Sequence, residues 1–294
     1  MKHSLPITLL ILGIFLLAQF IGIFILYKYI DPEQSAQEGK TVFKELPIGE
    51  RPPVEEKTSF IPVILAVLIG TVILLILIKY KLAFIWKLWF LMAAVITLTV
   101  AFTAFISTAI AFGLALVLGI WKVLKPNVIV HNCTELFIYG GLAAIFVPLF
   151  NLFSVIILLI LISGYDAYAV CKSKHMITLA KSQAESKIFA GLLIPYKLGK
   201  AVHRKVRSAS TKVIVKSRTA MLGGGDIGFP LIFAGVVLKE MGLWQSLVIP
   251  FFALLGLGWL LFIADEEKFY PAMPFISVGC FVGLAVVWVV GALV

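Results

Sequence analysis

Two aspartates stand out because they lie inside long apolar segments of the chain. Asp166 occurs in ILISGYDAYAV, and Asp226 follows three glycines in MLGGGDIGFP. An aspartate at the centre of a membrane helix costs about 2.5–3.5 kcal/mol, so a carboxylate there marks a candidate functional site. Neither segment contains a Lys or Arg that could neutralise its aspartate. Two other acids, Glu135 and Glu240, lie near segment ends, where they can face the membrane interface.

Two neighbouring carboxylates suit acid–base hydrolysis. Because both cannot ionise readily, they share a proton and titrate as a pair. One then acts as the base that activates water, and the other as the acid that protonates the carbonyl oxygen or the leaving nitrogen. This predicts aspartic peptide hydrolysis without a metal, a cofactor or a covalent intermediate. Other protease signatures, such as H-E-x-x-H or G-x-S-x-G, do not occur in the sequence.

The composition predicts a multi-pass membrane protein. The chain is 61% apolar and 14% charged, whereas soluble domains carry about 25% charged residues. In lipid the backbone must satisfy its own hydrogen bonds, so the fold class is all-α. We expect a single membrane domain over residues 1–294. A helix needs about 20 apolar residues to cross a bilayer, which predicts nine spans at 5–27, 60–78, 83–103, 105–121, 133–149, 151–171, 219–238, 243–263 and 272–293.

The positive charge is concentrated on one side of these spans. With nine spans, 19 of the 25 Lys and Arg residues lie on the side of the N-terminus, 12 of them in the loop 172–218. The positive-inside rule therefore places the N-terminus in the cytoplasm and the C-terminus outside. The polar loop 28–59 is then extracytoplasmic and is expected to be partly extended. A basic cytoplasmic loop follows from topology and contact with anionic lipid, so no nucleic-acid partner is predicted.

The two aspartates are predicted to lie at the same depth. Asp166 is about five residues from the cytoplasmic end of the sixth span, and Asp226 about seven residues after the start of the seventh. At 1.5 Å per residue, both lie roughly 8–10 Å below the same boundary. The glycines before Asp226 would let a substrate backbone approach and would permit an irregular entry into the helix. Close helix packing is the alternative reading of such glycines.

A short strand is predicted just before the seventh span. In KVIVK, residues 212–216, charged and β-branched side chains alternate. We expect Val213, Ile214 and Val215 to pair with an unwound substrate by strand addition. A plain amphipathic linker is the alternative.

Three motifs together resemble the presenilin and signal peptide peptidase family of GxGD intramembrane aspartyl proteases. They are Tyr165-Asp166, the stretch from Gly223 to Asp226, and Pro271-Ala272-Met273 in the C-terminal part 219–294, which carries three spans. The resemblance implies a nine-helix presenilin-like fold and a catalytic pair, Asp166 and Asp226. It also implies an active-site support formed by Tyr165, Gly223, Gly224, Gly225, Pro271, Ala272 and Met273.

One position departs from the family pattern. The third motif is usually Pro-Ala-Leu, and here Met273 replaces the leucine, a volume-conserving exchange. The predicted orientation resembles that of presenilins, and the large partner-bearing extensions of eukaryotic presenilins are missing. The chain therefore resembles a minimal, archaeal-type presenilin homologue.

Two other functions remain as alternatives. A proton-coupled transporter could use the acids as a relay, but it would require polar residues on several facing spans and paired broken helices. A prepilin-peptidase-type aspartyl protease also has a G-x-G-D sequence near the membrane face, although nine spans and the Pro-Ala motif argue against it. The expected partners are single-span or signal-peptide polypeptides and the lipid bilayer. The sequence predicts no oligomeric state.

Overall fold

The structure, a computed structural model, describes residues 5–80, 82–125, 127–172, 189–197, 217–265 and 270–293. This part of the chain forms ten helices and two pairs of antiparallel strands. The helices are α1 Leu5–Tyr29, α2 Pro32–Glu38, α3 Phe60–Lys79, α4 Ala83–Thr103, α5 Thr108–Leu124, α6 Val128–Phe146, α7 Leu152–Cys171, α8 Gly224–Met241, α9 Leu243–Ile263 and α10 Met273–Leu293. The strands are β1 Ile30–Asp31, β2 Val42–Phe43, β3 Gly191–Lys197 and β4 Ser217–Gly223.

A helix lies at each of the nine predicted spans, and α2 is an additional short helix. Within the described residues, seven helices are long and apolar enough to cross a membrane. The exceptions are α5, which has 17 residues, and α8, which includes Asp226, Lys239 and Glu240. The protein is therefore a multi-pass membrane protein, and the predicted number of nine spans is supported for seven.

The centre of the bundle is α8. It contacts α1, α6, α7, α9 and α10, and its side chains from Leu231 to Val237 are buried on all sides. A helix that is apolar all round lies in the interior of a protein or spans a membrane, and α8 is surrounded by protein. This central helix begins at the GGGD stretch, so the packing of its neighbours determines where Asp226 lies.

The loop 28–59 contains the short helix α2 and the strand pair β1–β2 beside irregular stretches. Asp31 caps α2 by accepting hydrogen bonds from the backbone amides of Glu33 and Gln34 at 3.1 Å, and β1 pairs with β2. The loop is also tied to the end of α8 at Lys239. Thr41 donates to the carbonyl oxygen of Lys239 at 2.6 Å, and the Lys239 ammonium lies 2.8 Å from the Glu56 carboxylate.

Three predicted boundaries are wrong. The fifth span was expected from residue 133, but its helix begins at Val128. The seventh span was expected from residue 219, but Thr219 belongs to β4 and the helix begins at Gly224. The reason is non-local, since all seven residues of β4 pair with β3, in register from Gly191 opposite Gly223 to Lys197 opposite Ser217. Lys122, expected in a cytoplasmic loop, lies within α5 and is 3% exposed. The predicted strand Val213, Ile214 and Val215 lies outside the described residues.

Candidate active site

Asp166 lies on α7 and faces the beginning of α10. Its side chain is buried, with 6% of the residue exposed. The backbone N–H of Met273 donates to its Oδ2 at 3.1 Å, and the amide of Ala272 is a second backbone neighbour. Because the first N–H groups of a helix have no partner within it, they form a natural site for an anion. The carboxylate thus caps α10, and the Pro-Ala-Met motif supplies the backbone N–H that it accepts.

Asp226 is the third residue of α8, closer to the helix start than the sequence suggests. Gly223 is the N-cap residue, and its backbone N–H donates to the Asp226 carboxylate. An acid at this position that reaches back to the N-cap amide forms one half of a capping box. The strand-to-helix junction therefore holds the carboxylate in place.

The two carboxylates lie close enough for electrostatic repulsion between them. Helices α7 and α8 are in contact, and Asp226 is partly accessible whereas Asp166 is buried. Two acids from separate, contacting helices therefore lie within range of each other's charge. Among the described residues, no three His, Cys, Asp or Glu side chains come together as a metal site requires.

The glycines before Asp226 leave room for neighbouring atoms rather than allow an unusual backbone conformation. None of the three has a positive φ. A Cβ on Gly224 would lie 3.1 Å from the Tyr139 hydroxyl oxygen and 3.2 Å from the carbonyl oxygen of Ala190. A Cβ on Gly223 would lie 3.1 Å from Oδ2 of Asp226. Gly225 is exposed and would meet only the ring of Phe229.

The remaining predicted support residues lie around Asp166. The Tyr165 hydroxyl donates to Oγ1 of Thr71 on α3 at 3.1 Å. Pro271 and Ala272 are half-buried, and the Met273 side chain is buried. Next to this group, the Ser163 hydroxyl donates to that of Ser277 at 2.8 Å and links α7 to α10. All residues of the predicted site except Val213, Ile214 and Val215 are therefore described, on α7, on α10 or at the start of either α8 or α10.

Helix α6 binds the antiparallel pair of strands β3 and β4, here called the hairpin. The sequence does not predict these contacts. The side-chain amide of Asn132 donates to the carbonyl oxygen of Leu193 at 2.7 Å and accepts its N–H at 2.9 Å. Nε2 of His131 is 2.7 Å from the carbonyl oxygen of Gly191. These side chains satisfy the backbone of β3 on the side away from β4. The only sequence signal is a polar run, HNCTE, at the start of an apolar segment.

The sequence also does not predict a buried polar cluster that the structure shows on α5 and α6. Lys122 forms an ion pair with Glu135 and donates to Oγ1 of Thr134 at 3.1 Å. The Tyr139 hydroxyl donates to the other carboxylate oxygen of Glu135. Glu135 is 1% exposed, so its expected place at the interface is wrong. It lies inside because α5 supplies the counter-ion.

Comparisons with known proteins bear on the family and the fold. Residues 43–293 match the family described as signal-peptide peptidase, presenilin aspartyl protease. Two solved structures of a presenilin family intramembrane aspartate protease, in space groups C222 and P2, superimpose with TM-scores of 0.62 and 0.61. Both are 20% identical to the chain, and the alignments cover 96% and 99% of it and 99% of each known chain.

No curated protein sequence matches the chain. At 20% identity, the structural likeness shows the fold alone, and that fold is presenilin-like. The sequence match extends over most of the chain and includes all three motifs. The chain therefore belongs to the signal-peptide peptidase and presenilin family of aspartyl proteases, and it is an intramembrane aspartic endopeptidase.

Proposed function

We propose that Asp166 and Asp226 form a catalytic pair that hydrolyses peptide bonds of membrane-spanning polypeptides or signal peptides. The observation that carries this proposal is that the carboxylates on α7 and α8 lie within range of each other's charge, with Asp166 at the amide-lined start of α10. Family membership decides against the transporter and the prepilin-peptidase alternatives.

The reaction needs only the pair and a water molecule. One carboxylate takes a proton as the water oxygen bonds to the peptide carbonyl carbon, and the other acid gives its proton to the carbonyl oxygen. When the tetrahedral intermediate collapses, the C–N bond breaks and the leaving nitrogen receives a proton from the pair, while one hydroxyl group of the intermediate returns its proton to the pair as the C=O bond re-forms. The products are a carboxylic acid and an amine, and the pair again shares one proton.

We further propose that the substrate binds as a strand at the outer edge of β4. Antiparallel pairs alternate between hydrogen-bonded and non-hydrogen-bonded positions. Because Leu193 gives both its backbone groups to Asn132, its partner Met221 directs its own N–H and C=O away from β3. Met221 is 42% exposed and lies five residues before Asp226. An extended peptide paired there would run directly towards the carboxylates, and Val213, Ile214 and Val215 would continue the same edge.

The proposed topology is nine spans with a cytoplasmic N-terminus and an external C-terminus. The nine long helices support the count, although α5 and α8 fall outside the seven that qualify by length and apolarity. The excess of Lys and Arg on the side of the 172–218 loop supports the orientation. Both carboxylates would then lie near the cytoplasmic side.

The test of the pair uses Asp166→Asn and Asp226→Asn separately against a single-span substrate in detergent. Asparagine keeps an oxygen that can accept from the Met273 or Gly223 amide, so the change removes the titratable group rather than the cap. We expect each variant to lose cleavage while its thermal unfolding stays near that of the wild type. Asp31→Asn, which preserves a helix cap on the loop 28–59, is the matched control and should cleave normally. Cleavage by either active-site variant would refute the pair.

The test of the strand compares Met221→Pro with Met221→Ala. Proline removes an N–H that the hairpin does not use, and prolines are tolerated at strand edges. We expect Met221→Pro to remain folded but to cleave poorly, whereas the alanine variant keeps the donor and should cleave far better. Ile214→Pro should also reduce cleavage. Equal cleavage by the two Met221 variants would argue against strand addition at this edge.

A further inference from the structure

Lys122, Glu135 and Tyr139 form a buried polar cluster at a place that apolar side chains could also fill. Each of the three residues is at most 3% exposed. Burying an ion pair costs desolvation energy that apolar residues of similar volume avoid, so such a pair is weak evidence for a role in stability. The ammonium is nevertheless well satisfied, since it also lies 5.5 Å from the centre of the Phe90 ring. The cluster therefore calls for an explanation in terms of what it holds.

The far end of the cluster touches the start of α8. A Cβ on Gly224 would lie 3.1 Å from the Tyr139 hydroxyl oxygen and 3.3 Å from its ring, and a Cβ on Gly228 would lie 4.0 Å from the same ring. The tyrosine ring thus lies along the first turn of α8, between two residues that flank Asp226. The charge of Asp226 also acts on Tyr139.

The position of the tyrosine oxygen is determined by its partners. Its hydrogen goes to one oxygen of Glu135, and Lys122 holds the other oxygen of that carboxylate. Lys122 belongs to α5, Glu135 and Tyr139 belong to α6, and Gly224 belongs to α8. A continuous polar chain therefore connects three helices and ends against the backbone of the turn that carries Asp226.

We infer that Tyr139, oriented by the Lys122–Glu135 ion pair, is a positioning residue for Asp226. This inference rests on the proposed catalytic pair. Tyr139 fixes the lateral position of the first turn of α8, and through it the distance between the Asp226 carboxylate and its partner on α7. It acts through the backbone at Gly224 and takes no part in proton transfer.

Tyr139→Phe removes the oxygen alone and leaves the ring in place. Losing a hydrogen bond to a charged group corresponds to about a tenfold to hundredfold change in a rate constant. We expect kcat to fall by a factor in that range while KM stays within about twofold. Glu135→Gln keeps an acceptor for the tyrosine and should retain more activity. Tyr29→Phe is the matched control. Its buried hydroxyl donates to the Val100 carbonyl oxygen at 2.7 Å, and Tyr29 is the last residue of α1, next to the loop 28–59. That control should lose stability but keep kcat per folded molecule.

Gly224→Ala tests the contact itself. Its added methyl group meets the Tyr139 oxygen in the wild type, and that oxygen is absent in Tyr139→Phe. We therefore expect Gly224→Ala to lower kcat by a larger factor in the wild type than in the Tyr139→Phe background. Equal factors in the two backgrounds, measured as a double-mutant cycle, would overturn the inference.

The inference and the proposed function fail in different ways. Full kcat in Tyr139→Phe, with cleavage abolished in Asp226→Asn, would overturn the positioning role and leave the catalytic pair intact. A fall in kcat that only matches the loss of folded protein would also overturn the positioning role. Cleavage that survives in Asp226→Asn would overturn the catalytic pair, and the inference with it.

Discussion

Replacing Gly279 by alanine should separate α10 from α9 and weaken the active site from a distance. A Cβ at Gly279 would overlap the carbonyl oxygen of Phe252 and would lie 2.8 Å from its carbon and 3.0 Å from Cα of Ala253. These are backbone atoms, so no side-chain rotation can relieve the overlap. An alanine in a helix interior is normally favoured over glycine by about 1 kcal/mol, whereas overpacking costs about 1–3 kcal/mol. Because the overlap involves backbone atoms, we expect the overpacking cost to lie near the upper end of its range and the net loss to reach about 2 kcal/mol.

The loss should extend to catalysis because α10 begins at Met273, six residues before Gly279. At 1.5 Å per residue the two lie about 9 Å apart along the helix. A displacement of α10 would draw the Met273 amide away from Asp166. Thermal unfolding in detergent and kcat should therefore both fall.

Gly291→Ala is the matched control on the same helix, because a Cβ there would meet nothing within 4 Å. That variant should be as stable as the wild type or slightly more stable, with unchanged kcat. If Gly279→Ala unfolds at the same temperature as Gly291→Ala, the close backbone contact between α9 and α10 is incorrect.

Three further changes test other contacts. Lys122→Met alone should lower stability by about 3–5 kcal/mol because it leaves Glu135 buried without its counter-ion, while the double variant with Glu135→Gln should recover most of the loss in thermal unfolding. Asn132→Ala removes both hydrogen bonds to Leu193; we expect faster proteolysis of the hairpin and a several-fold lower kcat/KM, and an unchanged proteolysis rate would contradict that docking. Met273→Leu conserves volume and keeps the backbone N–H, so cleavage should persist with a stability change below about 1.5 kcal/mol.

The positions of the long helices follow from local sequence. A run of about 20 apolar residues in lipid must form a helix, because a helix makes all the hydrogen bonds of its own backbone. The two aspartates were identifiable for a related reason, since charge is so rare within those runs. The expectation that they form a pair rests on their similar predicted depth on two successive antiparallel spans.

The hairpin and the polar cluster depend on contacts between distant residues. The alternation in KVIVK predicts a strand at 212–216, which lies outside the described residues. The strand pair that the structure describes joins Ser217–Gly223 to an apolar stretch with a proline, GLLIPYK. Strand preference depends on neighbours rather than on the segment alone. Lys122 and Glu135 lie near helix ends and are easily taken as interfacial. Only the packing of α5 against α6 shows that they neutralise each other.

The contacts of Lys239 at the end of α8 have a consequence for the supply of water. Lys239, near the end of α8, contacts Glu56 of the loop 28–59 and donates to the carbonyl oxygens of Pro148 and Phe150. It is 13 residues from Asp226, about 20 Å along the helix, and the side chains between them include Leu231 and Phe233, which are fully buried. Each turnover consumes one water molecule, and the shorter route to the carboxylates would begin at the hairpin end, where Met221 and Gly225 are exposed and Asp226 is partly accessible. Hydrolysis would then depend on the same opening through which the peptide arrives, so a tightly bound substrate would slow its own cleavage by excluding the second reactant.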